Sequence, residues 1–495
     1  MTATEASLDS TASEVPTMHG GLANLDVEHQ YWIDEVIGTV PNDLGGTFYR
    51  NGPGRQRVGD MPYGHWFDGC GMLSAFSFVD GRVHFTNKYV RTPKYLEETA
   101  AQAIRYRGFG TQIPGGVRKN IGRWTGNPSN TNVVHHAGKL LTLYEGGRPF
   151  ELDPATLDTI GEHSFDGKLT KRAMISAHGH RHHRTGSWIN FGPGSAGMSR
   201  RGPKMCFNIF DVDTRGSIVR TAQIPVDGVP FSHDFALSDR YAVFFVNSIT
   251  MGSIAPVALG MRTISDGMAY DGDLPMQIVV VDLDTLTEVC RTETGPGAIV
   301  HFGNAFEVGD EVIIDAMYAD NFEANKALSD MFNADRLRGG EFRRYRVNVA
   351  TGAVEHDVLS PTNSEFPTFN LAKAGRRHDH TYTAVSVENG HDSFFNGIQR
   401  VSTDGEVQLN TLPPGLFGSE PVFAPATGSQ RDADGYVLEV VYDAHEHRSS
   451  LVIFRAMDIC EPIATLKLEH HLPHQFHGYW HDEVNLKLAL DGPDS

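Results

Sequence analysis

Four histidines stand out as candidates for chemistry among the 24 in this chain of 495 residues. They are His178, His233, His301 and His477, and each lies beside an apolar or β-prone segment. Four neutral imidazoles suit Fe(II), which accepts nitrogen ligands in octahedral geometry and can keep up to two positions for oxygen and solvent. Zinc is the alternative metal. Structural zinc is usually held by cysteine as well as histidine, however, and the segments around these histidines contain no cysteine.

The four histidines are separated by 55, 68 and 176 residues, so distant parts of the fold must bring them together. A recurrent β-hairpin pattern in the sequence predicts how the fold brings them together. Runs of β-branched and aromatic residues flank an Asp, Thr or Gly turn, and we find this unit at 76–85, 150–160, 207–220, 278–290, 345–355, 398–409 and 452–466.

One unit repeated along a single chain predicts an all-β fold, a β-propeller with about seven blades whose inner strands meet at one axis. A large sandwich or two β domains are the alternatives. The units are unevenly spaced, so some connecting loops must be long. We expect these loops, with helices near 95–104 and 321–331, to form a cap over one face.

Composition and charge exclude some classes of function. The net charge of -19 argues against nucleic acid, because a phosphate-binding protein needs a basic surface. We identify neither a signal peptide nor an apolar run long enough to span a bilayer. Residues 1–20 are small and polar and predict a disordered tail, and 21–495 predict a single catalytic domain. We expect a cytoplasmic protein and leave peripheral contact with a membrane surface open.

Seven motifs, in order along nearly the whole chain, resemble those of the carotenoid cleavage oxygenases. They are GGTFYRNGPG (45–54), HWFDGCGM (65–72), NKYVRT (87–92), NTNVVHHAGKLLTLYEGGRPFELDPATL (130–157), EFPTFN (365–370), GSEPVFAP (418–425) and DGYVLEVVYD (434–443). One departure is Cys70, where the family usually has aspartate.

The resemblance implies a seven-bladed propeller with Fe(II) on its axis, held by His178, His233, His301 and His477. It implies that three glutamates, Glu145, Glu365 and Glu420, accept hydrogen bonds from the ligand rings. Such partners fix the tautomer and orientation of a ligand histidine. It further implies that Thr131 crowds one open iron position and so acts in catalysis.

The implied reaction adds O2 across a C=C bond of an apolar conjugated substrate, a carotenoid or apocarotenoid, giving two carbonyl products. Stilbenes and phenylpropenes are the alternative substrates. Stilbene-cleaving members typically have a lysine that binds a phenol oxygen immediately before the first glutamate, and this chain has Tyr144 there. Residues 248–268 are largely apolar and predict a wall of the substrate tunnel, a lid that dips into a membrane, or simply part of the core. A non-catalytic propeller that binds an apolar ligand is the alternative from another class.

Overall fold

Antiparallel β-sheets are the main secondary structure of this protein. The computed structural model describes residues 16–199, 202–334, 337, 339–387, 394–429 and 431–488. The strands of the first half, in chain order, are β1 (Gln30–Trp32), β2 (Glu35–Gly38), β3 (Gly46–Arg55), β4 (Arg57–Val58), β5 (Met61–Pro62), β6 (Cys70–Val79), β7 (Arg82–Tyr89), β8 (Asn132–His136), β9 (Lys139–Leu143), β10 (Phe150–Leu152), β11 (Thr159–Glu162), β12 (His180–Arg181), β13 (Trp188–Ser199), β14 (Gly202–Val212), β15 (Ile218–Pro225), β16 (Ala236–Leu237) and β17 (Tyr241–Val246).

The second half continues the same pattern. Its strands are β18 (Ile249–Met251), β19 (Met268–Tyr270), β20 (Met276–Asp282), β21 (Thr287–Thr294), β22 (Ala298–Val308), β23 (Glu311–Ala319), β24 (Gly340–Asn348), β25 (Val354–Thr368), β26 (His380–Val385), β27 (Gly397–Ser402), β28 (Val407–Thr411), β29 (Leu416–Phe417), β30 (Val422–Pro425), β31 (Gly435–Asp443), β32 (Arg448–Arg455), β33 (Ala464–Lys467) and β34 (Gly478–His481).

These strands form several sheets that follow one another along the chain. Three sheets have four strands, in the orders β11-β10-β9-β8, β12-β13-β14-β15 and β16-β17-β20-β21, and strands β22 to β28 form a seven-stranded sheet in sequence order. Two sheets join the ends of the chain. The first has the order β1-β7-β6-β3-β34, and the second has the order β2-β33-β32-β31-β29, with β30 also paired to β31. The fold is therefore mostly β, as predicted.

All seven predicted hairpins are confirmed as antiparallel strand pairs: β6–β7, β10–β11, β14–β15, β20–β21, β24–β25, β27–β28 and β32–β33. The β6–β7 turn shows why the local signal is reliable. Asp80 and Gly81 both have positive φ, 50° and 74°, as a two-residue type I′ turn requires, and Asp-Gly is a preferred sequence for it.

Strand β34, near the C-terminus, pairs with β3, near the N-terminus, with Arg50 opposite Gly478. Side chains from this sheet and from β30 to β33 share one large hydrophobic cluster, which includes Phe48, Phe76 and Leu451. Burial of aromatic and aliphatic side chains is the main favourable contribution to folding. The two ends of the described chain are thus held in one core.

Helices are few and short. They are α1 (Pro93–Ala101), α2 (Val117–Asn120), α3 (Ile254–Ala258) and α4 (Glu323–Leu328). Helix α1 begins with Thr92 as N-cap and Pro93 in the first turn, a favoured start for a helix. Helices α1 and α4 lie where the sequence predicts them. Over the described ranges, no helix is both long and apolar enough to cross a membrane.

The predicted disordered tail needs one correction. Residues 1–15 lie outside the described residues, but Met18–Leu22 forms a short 3-10 helix. Met18 and Leu22 are buried in a cluster with Trp66 and Phe476. The prediction is therefore wrong for residues 18–20, because these two apolar side chains anchor the segment to the core.

Candidate metal centre

The four candidate histidines lie on, or just before, strands at the edges of different sheets. His178 and His233 precede β12 and β16, His301 lies within β22, and His477 immediately precedes β34. Each of these strands is the terminal strand of its sheet. The structure brings the four side chains together because these sheet edges converge.

The four imidazoles offer ligand atoms that all lie within 4.8 Å of one another. Nε2 of His178 is 2.9 Å from Nε2 of His233, and Nε2 of His301 is 3.2 Å from Nε2 of His477. Two nitrogens bound at right angles to one ion, each about 2.1 Å from it, would be about 3.0 Å apart. The spacing therefore fits a shared metal ion.

The three predicted glutamates lie behind three of the rings. Glu365 Oε2 accepts a hydrogen bond from His301 Nδ1 at 2.6 Å, and Glu420 Oε1 accepts one from His477 Nδ1 at 2.9 Å. Glu145 Oε1 lies 2.8 Å from Nδ1 of His233. A proton held at Nδ1 leaves Nε2 with a free lone pair, so these contacts leave the Nε2 atoms able to bind a metal ion.

Burial and charge set the protonation of the site. Burial and neighbouring histidines lower the pKa of His178 and His477 well below the ordinary value, so both rings are neutral at pH 7. Burial also lowers the pKa of His233, but the Glu145 carboxylate outweighs it and the net shift is upward. Burial raises the pKa of Glu145, and the contact with His233 more than offsets this, so its net pKa is lowered.

Thr131 lies beside the centre, immediately before the terminal strand β8. It is buried, and its Oγ1 donates to Asn130 Oδ1 at 3.2 Å and approaches Glu145 Oε2 at 3.5 Å. Its carbonyl oxygen accepts from the backbone N–H of His477 at 3.3 Å. Thr131 thus contacts two of the residues that build the site.

Two local irregularities that the sequence does not predict shape the site. The pairing of β22 with β23 shifts register on either side of Phe302, next to His301, and such bulges often redirect side chains at active sites. Phe366 has a φ of 58°, which is uncommon for a bulky residue. Its ring lies 5.1 Å from that of His301 and 5.3 Å from that of His477. In the sequence, only the position of Phe366 within the EFPTFN motif (365–370) indicated that it could lie near the site.

Several histidines outside the four-histidine group are also buried, among them His182, His471 and His474. The atoms of His182, His183 and Asp239 also lie close enough to share an ion. The Asp239 carboxylate is already 3.3 Å from the guanidinium of Arg184, so we assign no metal to that group.

Comparison with known proteins places this architecture in a family. The sequence profile of the RPE65 family, described as retinal pigment epithelial membrane protein, matches residues 22–482. Apocarotenoid-15,15'-oxygenase of Synechocystis is 35% identical over 461 residues, covering 92% of this chain and 94% of that protein. Lignostilbene-alpha,beta-dioxygenase isozyme III of Sphingomonas paucimobilis is 27% identical, covering 95% and 98%.

A crystal structure of cobalt-substituted Synechocystis apocarotenoid oxygenase superposes with a TM-score of 0.85 at 34% identity, covering 93% of this chain and 98% of that one. The chain belongs to the carotenoid cleavage oxygenase family, and the resemblance inferred from its motifs is confirmed.

Proposed function

We propose that this protein is an iron(II)-dependent dioxygenase that cleaves a C=C bond of a carotenoid or apocarotenoid, giving two carbonyl products. One observation carries the proposal: the Nε2 atoms of His178, His233, His301 and His477 converge at the spacing of ligands to one ion. The similarity to an apocarotenoid oxygenase supports the substrate class.

Iron suits this donor set better than zinc. Structural zinc usually has cysteine among four tetrahedral ligands, and Cys70, Cys206, Cys290 and Cys460 all lie outside the four-histidine group. Four nitrogen ligands leave positions open on an octahedral Fe(II), where O2 can be activated. The cobalt-substituted relative has a metal that prefers similar ligands, which also supports a transition-metal site here.

We further infer that the sheets are the blades of a seven-bladed propeller. The seven confirmed hairpins support this arrangement, as does the pairing of β3 with β34, which would close the ring in one blade. The ligand histidines would then lie on the inner strands at one end of the axis, and the helices and long loops would form the cap.

Each group of residues at the site has a distinct task in this proposal. Iron supplies the binding and activation of O2. Glu145, Glu365 and Glu420 hold the ligand rings in the tautomer that presents Nε2. Thr131 limits the space at one side of the centre, so that oxygen and substrate occupy the remaining side.

Aromatic side chains next to the centre supply an apolar surface for the substrate. Phe366 contacts two ligand rings and packs on Phe395, and both belong to a cluster with Trp66, Met331 and Phe476. Trp66 and Met331 also line a cleft of about 400 Å³, whose walls include polar side chains such as Gln56, Arg57 and Asp330. The aromatic side chains next to the ligand rings suit a conjugated hydrocarbon.

A surface patch supports peripheral contact with a membrane, where such substrates dissolve. Six apolar side chains, each more than two-fifths exposed, lie on α2, on α3 and in the segments that follow them: Val117, Ile121, Trp124, Ile254, Leu259 and Met261. The two regions adjoin, because the N–H of Gly122 bonds the carbonyl oxygen of Ala258. This arrangement favours the membrane-contact interpretation of residues 248–268.

The residue before the first glutamate favours a polyene over a hydroxystilbene. Tyr144 is buried, and burial raises its pKa well above the ordinary value, so its phenol is neutral and supplies no positive charge to a phenolate. The 27% identity to a lignostilbene dioxygenase is also lower than the 35% identity to the apocarotenoid oxygenase. A non-catalytic, ligand-binding propeller would not need an intact set of four histidines and three glutamates.

The test combines metal analysis with product analysis. Purified protein reconstituted with Fe(II) should bind about one iron per chain and, with an apocarotenal and O2, release two carbonyl fragments that each gain one oxygen atom from 18O2. A protein that binds no iron, or that binds iron but releases no carbonyl fragment from any carotenoid, apocarotenoid or stilbene, would refute the proposal.

A further inference from the structure

Three buried polar side chains bond the main chain beside the ligand histidines without reaching the ligand nitrogens themselves. We propose that Ser176, Asp234 and Arg50 are positioning residues: Ser176 and Asp234 fix the backbone at His178, His233 and His301, and Arg50 fixes the backbone at His477 relative to Glu420. This inference rests on the proposed metal centre and explains how the separate sheet edges hold the ligand nitrogens in place.

Ser176 links the His178 segment to the His233 segment. Its Oγ donates to the carbonyl oxygen of His233 at 2.8 Å and accepts from the backbone N–H of His178 at 3.0 Å. Both ligands of this pair, whose Nε2 atoms are 2.9 Å apart, are therefore bonded through their main chains to the same hydroxyl.

Asp234 links the His233 segment to the His301 segment. It directly follows His233, and its Oδ2 accepts from the backbone N–H of Phe302, the residue after His301, at 3.0 Å. Its Oδ1 accepts from the N–H of Phe235 and from His180 Nε2, both at 2.7 Å. The Asp234 carboxylate is buried and accepts three hydrogen bonds, which together fix its position.

Arg50 links the Glu420 segment to the His477 segment. Its buried guanidinium donates from Nη1 to the carbonyl oxygen of Glu420 at 2.7 Å, and from Nη2 to that of Phe476 at 2.8 Å. Phe476 precedes His477, whose ring in turn bonds the Glu420 carboxylate. The contacts form a closed ring of guanidinium, glutamate, histidine and main chain.

These links act on geometry rather than on ligand chemistry. A metal site needs its donors within about 0.5 Å of the productive arrangement, and side chains behind the ligands supply that precision. Residues that support ligands typically change metal affinity or activity by 10–100-fold when they are altered. Because these three act through the main chain, we expect effects at the lower end, about tenfold.

Asp234→Asn gives the sharpest test. Asparagine keeps the shape, but its Nδ2 cannot accept the Phe302 N–H if its Oδ1 keeps the Phe235 bond. The matched control is Asp282→Asn: Asp282 is also buried and accepts from the backbone N–H groups of Asp284 and Thr285, away from the four histidines. We expect D234N to bind Co(II) about tenfold more weakly, with a changed d–d absorption spectrum, and D282N to match the wild type.

Arg50→Met and Arg50→Lys test the third link, between Glu420 and His477. Arg400→Met is the control, because Arg400 is also buried and donates to a backbone carbonyl, that of Met457. R50M should weaken Co(II) binding and lower kcat more than it changes KM. R50K, which can still reach one carbonyl, should recover part of both. R400M should lose stability at most.

The outcomes separate this inference from the proposed function. A wild-type protein that binds no metal would overturn both. Wild-type metal binding with D234N and R50M indistinguishable from their controls, in Co(II) affinity and spectrum, would overturn the positioning role alone. If D234N fails to fold, Ser176→Ala replaces it: the loss of one oxygen atom should still weaken Co(II) binding, and unchanged affinity would equally overturn the inference.

Discussion

Glu420 is bonded on two sides, by its carboxylate to His477 Nδ1 at 2.9 Å and by its carbonyl oxygen to Arg50 Nη1 at 2.7 Å. Burial raises the pKa of this carboxyl to about 7, although Arg50 and the N–H of Gly478 pull it downward. The charge of Glu420 therefore depends on its partners. A cation bound on the far side of His477 would favour the carboxylate.

Glu420→Gln should therefore weaken metal binding. The amide oxygen can still accept from His477, but the negative charge behind the ring is lost, and we expect a loss of about 10–100-fold in metal affinity or activity. Isothermal titration with Co(II) measures it. Glu439→Gln is the control, because burial raises the pKa of Glu439 to about 8 and this carboxyl is largely neutral at pH 7. Equal losses in both variants would contradict a role for the Glu420 charge.

His301→Ala should abolish stoichiometric metal binding and activity while the chain stays folded. The ring is buried and bonded to Glu365, so its removal takes away a ligand and leaves a small cavity rather than breaking a sheet. Metal content by mass spectrometry and the far-UV circular dichroism spectrum check the two halves of this prediction. His183→Ala, a change outside the four-histidine group, should keep its metal. Near-stoichiometric iron in H301A would remove His301 from the site.

Thr131→Ala should change the metal's spectrum more than the protein's stability. The variant keeps the backbone bonds of Thr131 to Leu143 and His477 but opens space beside the centre. The Co(II) absorption spectrum and the yield of product per O2 consumed report on that space. Thr142→Ala, a buried threonine on β9 that bonds Ser129, is the control for strand packing. An unchanged spectrum in T131A would show that the side chain only fills space next to β8.

The sequence predicted the parts of this fold that depend on local chemistry. Asp80 and Gly81 favour one turn wherever they occur, so the hairpins could be found without knowing the rest of the structure. The convergence of the four histidines could be proposed because repeated hairpins imply a common axis. Seven blades around that axis stay a prediction.

The sequence did not predict the contacts that depend on which sheets become neighbours. Nothing around Ser176 or Asp234 indicates that their oxygens reach the main chain beside another ligand, since those partners are distant in sequence. The burial of His471 and His474 was unpredictable for the same reason, because the segment that covers them is distant in sequence. Both are covered by the N-terminal segment, where His474 Nε2 bonds the carbonyl oxygen of Met18. Local amino-acid composition does not predict such long-range packing.

The histidines at positions 470, 471 and 474 should make the protein less stable in mild acid. Burial lowers the pKa of His470, His471 and His474 to about 4. The unfolded chain, with its ordinary pKa of about 6.5, therefore binds more protons between pH 6.5 and 4, and the free energy of unfolding falls as pH falls through that window. For His474 alone the loss is at most about 3 kcal/mol.

Urea unfolding at pH 7.5, 6.0 and 5.0 measures this slope. His474→Gln removes one titrating group and should flatten it, at some cost in stability at pH 7.5. His445→Gln is the control, because His445 is exposed. A slope in H474Q equal to that of the wild type would show that this ring does not titrate on unfolding.

The last prediction concerns substrate choice. A lysine before the first glutamate would bind a phenolate oxygen, whereas Tyr144 is buried, neutral and without positive charge. Activation through a para-hydroxyl should therefore matter little, and kcat/KM should be much higher for an apocarotenal than for resveratrol or isoeugenol. A long polyene also gains about 25 cal/mol for each Å² of apolar surface it buries, surface that a two-ring stilbene does not have.

Tyr144→Lys should raise kcat/KM for resveratrol relative to the apocarotenal, because an ammonium group at this position can hold the phenol oxygen. Tyr144→Met is the matched control: it removes the phenol without adding charge and should leave the substrate ratio near that of the wild type. A substrate ratio that moves equally in Y144K and Y144M would mean that space rather than charge sets the preference. If a phenolic substrate is clearly the fastest with the wild-type protein, the carotenoid assignment is wrong even though the metal centre stands.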